Sequence, residues 1–302
     1  MSTAVVYAET GPAEVLHLRD VDEPSPGAGQ VRLAVRAAAV NPIDWKIRSG
    51  AFGDVDLPKV PGSDVAGVVD RVGPDVDGVA EGDAVFGFAS GGAYATHALA
   101  EQVVRKPAGM PWEIAAALPI AAETAWRVLG LLDVGAGDTL LIHGAAGSVG
   151  GVAVQLAAAR DARVVGTASE RHHDYLRAIG ATPTVYGDGL VDRVRRLVPD
   201  GVDAVFDAAG QGALPASVEL RGGTTERIVT IADPDAGAHG VTYSGGGGQR
   251  SLDGLREAAR LYEAGALTMP IRASYPLAEA AAAHRDSEEG HGRGKIVLLV
   301  SG

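Results

Sequence analysis

The order of apolar and polar positions along the chain changes style twice. Over residues 1–113, short apolar runs ("TAVVYA", "QVRLAVRAAAV", "VAGVVDRVG", "DAVFGF", "AYATHALA") are broken by clusters of Gly, Pro and Asp. This punctuation predicts a mostly β, barrel-like domain. From Trp112 the pattern alternates: helix 112–132, strand "DTLLIHG", helix 148–160, strand "ARVVGTA", helix 171–179, strand "TPTVYG", helix 190–198, then strands "DAVFDAAG" and "ERIVTIAD". Strands alternating with helical segments predict a parallel, doubly wound α/β sheet. The last part holds helix 251–265, a proline-interrupted "MPIRASYPL", helix 277–287 and an apolar strand "KIVLLV" that is able to rejoin the first domain. The expected division is 1–113 with 270–302, and 114–269. A length of 302 residues suits two domains, one being the alternative. There is no internal repeat, and "SGGGGQRS" at 244–251 reads as a flexible loop.

Composition narrows the chemistry. Acidic residues outnumber basic ones by 38 to 26, a net charge of -12 that lacks the basic footprint of nucleic-acid binding. With no cysteine there is no disulfide, thiolate ligand or cysteine nucleophile. No basic leader and no long apolar span is visible, so the expectation is a soluble, cytoplasmic chain with no membrane partner.

One stretch carries the candidate chemistry. "LIHGAAGSVGGVAVQLAAA" (141–159) reads as strand, glycine-rich turn and helix. Such a turn lets backbone amides approach a pyrophosphate at a helix N-terminus, which places Ala146, Gly147, Ser148 and Val149 as cofactor contacts. The G-x-G-x-x-G spacing is only partly kept, because Ala145 stands at its first position and Gly144 one place earlier; a tight connection without ligand is the alternative. At the end of the next strand, Ala168 stands where an NAD site would carry a carboxylate for the ribose hydroxyl. Ser169 and Arg171 follow, groups suited to a 2′-phosphate, so NADPH is the expected cofactor. Glu170 has to point to solvent for this to hold, and Arg171 otherwise reads as an ordinary exposed helix residue.

In sequence, the chain resembles the medium-chain dehydrogenase/reductase superfamily, and within it the zinc-free quinone oxidoreductase branch that includes zeta-crystallin. The resemblance runs through "NPIDWKIRSG", "VPGSDVAGVV", "EGDAVFG", "GGAYATH", "AAALPIAAETAW", "LIHGAAGSVGGVAVQLA", "VFDAAG" and "GRGKIVLLV". It implies a GroES-like domain built from both chain ends, a Rossmann domain with a parallel sheet, a cleft between them and commonly a homodimer. Zinc-dependent members have Gly-His-Glu where this chain has Gly62, Ser63 and Asp64, together with cysteines that are absent here. Asp64 alone reads as a structural carboxylate, and no metal is expected.

Without a Lewis acid, the expected acceptor is a small molecule that already takes hydride readily, a quinone or an α,β-unsaturated carbonyl. The resemblance puts Asn41 near the nicotinamide and Lys46 on the substrate side, where an ammonium stabilises a developing enolate. The plainer readings are a turn at Asn41-Pro42 and a surface ion pair at Lys46. Thr124, Tyr186, Ala209, Ile231, Ala232 and Arg293 carry over as cofactor contacts, with Gly210 beside Ala209. Thr124 and Tyr186 equally suit packing, and "GRGK", with Arg293 and Lys295, equally suits a solvated basic turn. Trp45 and Trp126 either line a substrate pocket or fill the core; His97 and His143 receive no role. An enoyl reductase for acyl or polyketide-like substrates, and an NADPH-binding protein with little turnover, are the competing functions.

Overall fold

The computed structural model describes residues 1–246, 250–290 and 292–301. In chain order the elements are β1 (Ser2–Val6), β2 (His17–Val21), β3 (Val31–Val40), α1 (Pro42–Arg48), β4 (Asp64–Val72), β5 (Ala84–Ser90), β6 (His97–Arg105), α2 (Trp112–Ala117) and α3 (Pro119–Leu131). There follow β7 (Thr139–His143), α4 (Ser148–Ala158), β8 (Arg163–Thr167), α5 (His173–Ala178), β9 (Ala181–Thr184), α6 (Leu190–Leu197), β10 (Ala204–Asp207), α7 (Leu214–Leu220), β11 (Ile228–Thr230) and β12 (Thr242–Tyr243). The chain ends with α8 (Asp253–Glu263), β13 (Ile271–Pro276), α9 (Ala280–Glu289) and β14 (Lys295–Leu299). Two units form: Met1–Ile120 with Met269–Gly302, and Ala121–Thr268.

In the first unit a sheet runs β13-β14-β3-β4-β5-β6, and β3 also pairs with β6, closing four strands into a barrel. The ten-residue β3 makes this possible by changing neighbours along its length. Its first residues, Val31–Ala34, pair with β6, while Ala37–Val40 pair with β14. Shifts of register at Arg32/Leu33 and Val35/Ala37 bend it between the two partners. Leu33, Val35, Val65, Val69, Val85 and Ala98 fill the interior. β14 returns the chain end to this sheet antiparallel to β3, which satisfies the apolar run "KIVLL" on a strand that would otherwise be exposed.

The single helix expected over 112–132 divides at Pro119, whose ring cannot continue a helical hydrogen-bond ladder. Its first part, α2, belongs to the first unit, because fully buried Ala115–Ala117 pack against β3, β4 and β14. The first unit therefore extends to Ile120, beyond the expected boundary at 113. Two helices were not anticipated. α1 begins with Pro at its first position and lasts seven residues, too few for its apolar period to register. α7 lies between "DAVFDAAG" and "ERIVTIAD", also opens with Pro near its start, and breaks what read as two consecutive strands.

The second unit is a parallel sheet in the order β12-β11-β10-β7-β8-β9. "TLLIH" of β7 is buried at all five positions and "AVFD" of β10 at all four, as strands covered on both faces require. Order reverses between β7 and β10, and at such a switch the strand ends leave a crevice where ligands bind in open α/β sheets. The expected loop at 244–251 follows β12; residues 247–249 of it lie outside the described residues. None of the described helices is long and apolar enough to cross a membrane.

Candidate functional site

The C-terminal ends of the parallel strands bring together most of the residues singled out in the second unit. Gly144 leaves β7 with φ +70°, a backbone conformation that suits glycine. Its N–H donates to Thr167 Oγ1 at 3.3 Å and that of Ala145 to the Thr167 carbonyl at 3.1 Å, which ties the turn to the end of β8. Gly150 is demanded by packing alone: a Cβ there would stand 2.3 Å from the Gly144 oxygen and 2.8 Å from Ala145 Cα. Gly147 is different. It caps α4 with an ordinary φ of −73°, and a Cβ would meet only the Gly144 oxygen, at 3.3 Å. The protein itself barely needs glycine at that exposed position. A ligand group approaching the backbone at the helix start does need it, and Ser148 and Val149 sit in the first turn, whose N–H groups have no intrahelical acceptor. The turn therefore fits a dinucleotide pyrophosphate.

Beyond β8, buried Ala168 is pinned by its N–H to the Thr184 carbonyl at 3.0 Å. Ser169 is half-buried, and Glu170 and Arg171 are exposed on a single 3-10 turn. Tyr186 follows β9 and is 58% exposed, so it is not a core side chain. Arg193 of α6 donates to the carbonyls of Val185, Tyr186, Gly187 and Asp188, at 3.1, 3.4, 3.3 and 2.7 Å, and curls this loop around one guanidinium. Fully buried Asp207 ends β10: its Oδ1 accepts from the N–H groups of Ala209 and Gly210, both at 3.0 Å, and its Oδ2 from Thr230 Oγ1 at 2.7 Å. Thr230 Oγ1 in turn accepts from Ala232 N at 3.1 Å, and Ile231 N donates to the Asp207 carbonyl at 3.0 Å. One carboxylate thus shapes both loops that carry Ala209, Ile231 and Ala232.

His143 lies beneath the turn with Nε2 3.0 Å from Ser217 Oγ and Nδ1 3.4 Å from Thr167 Oγ1. Burial lowers its pKa to about 4 against the opposing pull of Asp207, so it is a neutral, packed histidine. Thr124, buried in α3, donates to Glu123 at 3.4 Å, and Glu123 is held by Arg127 at 2.9 Å. Trp126 carries the Arg160 guanidinium 4.6 Å from its ring centroid and packs on Gly254, a structural use of the ring.

The first unit holds Asn41, Lys46 and Arg293. Lys46 is exposed on α1 with its ammonium 5.6 Å from the Trp45 ring centroid, and among the described residues it forms no ion pair. Arg293 is half-buried between Gly292 and Gly294. Asn41 is buried: Nδ2 donates to Asp64 Oδ2 at 3.0 Å, and Oδ1 accepts from Lys295 Nζ. Lys295 is therefore neither a phosphate contact nor part of a solvated basic turn. Asp64 Oδ1 also accepts from Ile120 N at 3.2 Å, and Lys295 Nζ lies 3.6 Å from Asp64 Oδ2.

Beside this cluster the sequence reading missed Asp44 and Tyr94. Asp44 Oδ2 accepts from Asn41 N at 2.8 Å and from Tyr94 Oη at 3.2 Å, and His284 Nε2 lies 3.3 Å from that hydroxyl. Burial raises the Asp44 pKa to about 7, with the Asp64 carboxylate adding to the effect and the Asn41 N–H opposing it. The one signal for Asp44 was its place three residues after Asn41, the spacing of a helix-capping carboxylate. Nothing in the sequence signalled Tyr94. Among the described residues no group of three or more His, Cys, Asp or Glu is placed to hold a metal ion.

Residues 27–114 match the alcohol dehydrogenase GroES-like domain and residues 179–298 the zinc-binding dehydrogenase model. The chain is 35% identical to a 2-methylene-furan-3-one reductase of Solanum lycopersicum over 79% of its own length and 65% of that protein's. It is 33% identical to the quinone oxidoreductase of Mus musculus, over 98% of its length and 97% of the relative. To the chloroplastic NADPH-dependent alkenal/one oxidoreductase of Arabidopsis thaliana it is 32% identical, over 98% and 78%. The structure of the quinone oxidoreductase from Coxiella burnetii superposes with a TM-score of 0.86 at 32% identity, covering 99% of each chain.

Two outcomes are expected. Gly147→Ala leaves stability within about 1 kcal/mol of wild type yet weakens dinucleotide binding about tenfold or more, whereas Gly150→Ala costs about 1–3 kcal/mol through overpacking. Fluorescence titration and urea unfolding separate the two, and unimpaired binding by Gly147→Ala would place the phosphates elsewhere. The second concerns Asp44, which in the folded state holds its proton up to about pH 7 against about 4 for a free carboxyl. Its contribution to stability therefore falls as pH rises across that window. Asp44→Asn removes the term, so the variant gains stability relative to wild type between pH 5 and pH 8; a constant difference in urea midpoint would refute this.

Proposed function

Because the chain belongs to the zinc-free quinone oxidoreductase branch of the medium-chain dehydrogenase/reductase superfamily, we propose that this oxidoreductase uses NADPH to reduce quinones or α,β-unsaturated carbonyls without a metal. The observation that carries the reading is the state of Asp64. It stands in the segment where zinc-dependent relatives hold metal, yet its carboxylate is fully buried and engaged by Asn41 and Ile120. That donor set does not suit zinc, which needs three or four open N, S or O ligands. An acceptor without metal activation has to carry its own electron sink, and conjugation supplies one.

A bound dihydronicotinamide supplies the hydride. The residues of the chain do the remaining work. Backbone N–H groups at Ser148 and Val149 hold the pyrophosphate while Gly147, its own N–H donated to the Gly144 carbonyl at 3.0 Å, leaves room for it. Ser169 and Arg171 take the 2′-phosphate, and Tyr186 flanks the adenine end. Thr124, Ala146, Ala209, Ile231, Ala232 and Arg293 complete the cofactor contacts. Lys46 offers an ammonium to the acceptor oxygen as charge develops there, and Asn41 an amide. The protein acts as a homodimer in the cytoplasm on this reading.

Arg171→Ala raises the KM for NADPH about tenfold, the worth of one charge-assisted hydrogen bond, and leaves the KM for NADH unchanged. Equal effects on both cofactors would show that Arg171 does not read the phosphate. With a simple aliphatic enone and a para-quinone side by side, Lys46→Ala lowers enone kcat about 10–100-fold and affects the quinone less. The product identified should be the saturated ketone. Unaltered enone turnover would remove Lys46 from the reaction, and turnover confined to acyl-thioester enones would move the substrate class.

A further inference from the structure

Asn41, Asp64 and Lys295 come from three separate elements and are exposed to 2%, 0% and 5%. Their chemistry dictates how the amide lies. An ammonium only donates and a carboxylate only accepts, so Oδ1 must face Lys295 and Nδ2 must face Asp64. The backbone of Asn41 is committed too, its N–H to Asp44 Oδ2 at 2.8 Å and its carbonyl to Asp44 N at 3.0 Å. One polar hydrogen is left over: the second hydrogen on Nδ2 has no acceptor among the described residues. A cation on the oxygen of an amide strengthens the N–H groups of the same amide as donors, the more so in a low-dielectric interior.

We propose that Lys295 is a positioning residue for the reduction: through Asn41 Oδ1 it orients and polarises the amide, so that the remaining Nδ2–H meets the carbonyl oxygen that gains charge. The inference rests on the assignment of Asn41 to the reacting side. The reaction adds hydride to the β-carbon of the enone, moves the conjugated electron pair onto oxygen and takes one proton from solvent at the α-carbon. The reduced nicotinamide is oxidised in return, and neither hydride nor proton passes through Lys295 or Asn41.

The test is a double-mutant cycle on the holoenzyme with NADPH and an aliphatic enone. It compares Asn41→Ala, Lys295→Met, the pair together and Lys295→Arg, each checked by circular dichroism and NADPH fluorescence titration. Asn41→Ala should lower kcat about 100-fold, as removal of an oxyanion donor does. Lys295→Met should lower it about tenfold with enone KM unchanged, and the double variant should be no slower than Asn41→Ala, because Lys295 acts only through that amide. Lys295→Arg, which keeps a charged donor, restores most of the rate, and NADPH affinity stays within about threefold throughout. If Lys295→Met leaves Asp64 buried without its cation and fails to fold, Asp64→Asn/Lys295→Met removes both charges and should show the same loss of kcat as expected for Lys295→Met. Multiplicative losses in the double variant, or full kcat without Lys295, overturn the proposal while leaving Asn41 in place. Full kcat in Asn41→Ala overturns the Asn41 assignment itself.

Discussion

A carboxylate with no exposure to water has to be neutralised and hydrogen-bonded where it sits, and Asp64 imposes that condition on the first unit. Meeting it draws the start of β4, the cap of α1, the first residue of β14 and the Ile120 amide to one point. The return of the chain end to the barrel is part of the same solution, since Lys295 is the residue with which β14 begins. A neutral residue at position 295 would leave a buried charge without its partner, which is costlier than never having buried the pair.

The second unit obeys a different constraint. Parallel strands bury both faces and gather their C-terminal ends, so any residue placed just after a strand is delivered to the same edge. Asp207 and Thr230 use this edge to set two loops by one hydrogen-bonded cluster. The glycine turn uses it to expose the start of α4. Within that turn the glycines differ in cause: Gly150 answers to its neighbours, Gly144 to its own backbone angle, and Gly147 to space outside the protein. The last is the one that speaks of a ligand.

The buried network also sets Asn41 and Lys46, close in sequence, in opposite surroundings. Lys46 is an open ammonium on a helix surface, while Asn41, the N-cap residue five positions earlier, is almost wholly committed to other residues. The first is suited to touch a substrate directly. The second is suited to hold a fixed direction, because its partners on either side leave the amide no alternative.

The alternation of strand and helix from Trp112, the glycine turn, the missing carboxylate at Ala168 and the absence of cysteine were all legible along the chain, because each depends on near neighbours in sequence. Periodicity is a local property, and so is the chemistry of a strand-to-helix turn. Short elements opened by proline, α1 and α7, were hidden for the complementary reason: seven residues carry too little period to be read. Only the tertiary structure could show that Lys295 abandons the basic turn to meet Asn41, 254 positions away, or that Tyr94 and Asp44 share a proton environment 50 positions apart. A buried charge is neutralised by whatever the fold places beside it, and neither its partner nor its pKa is written in the residues that flank it.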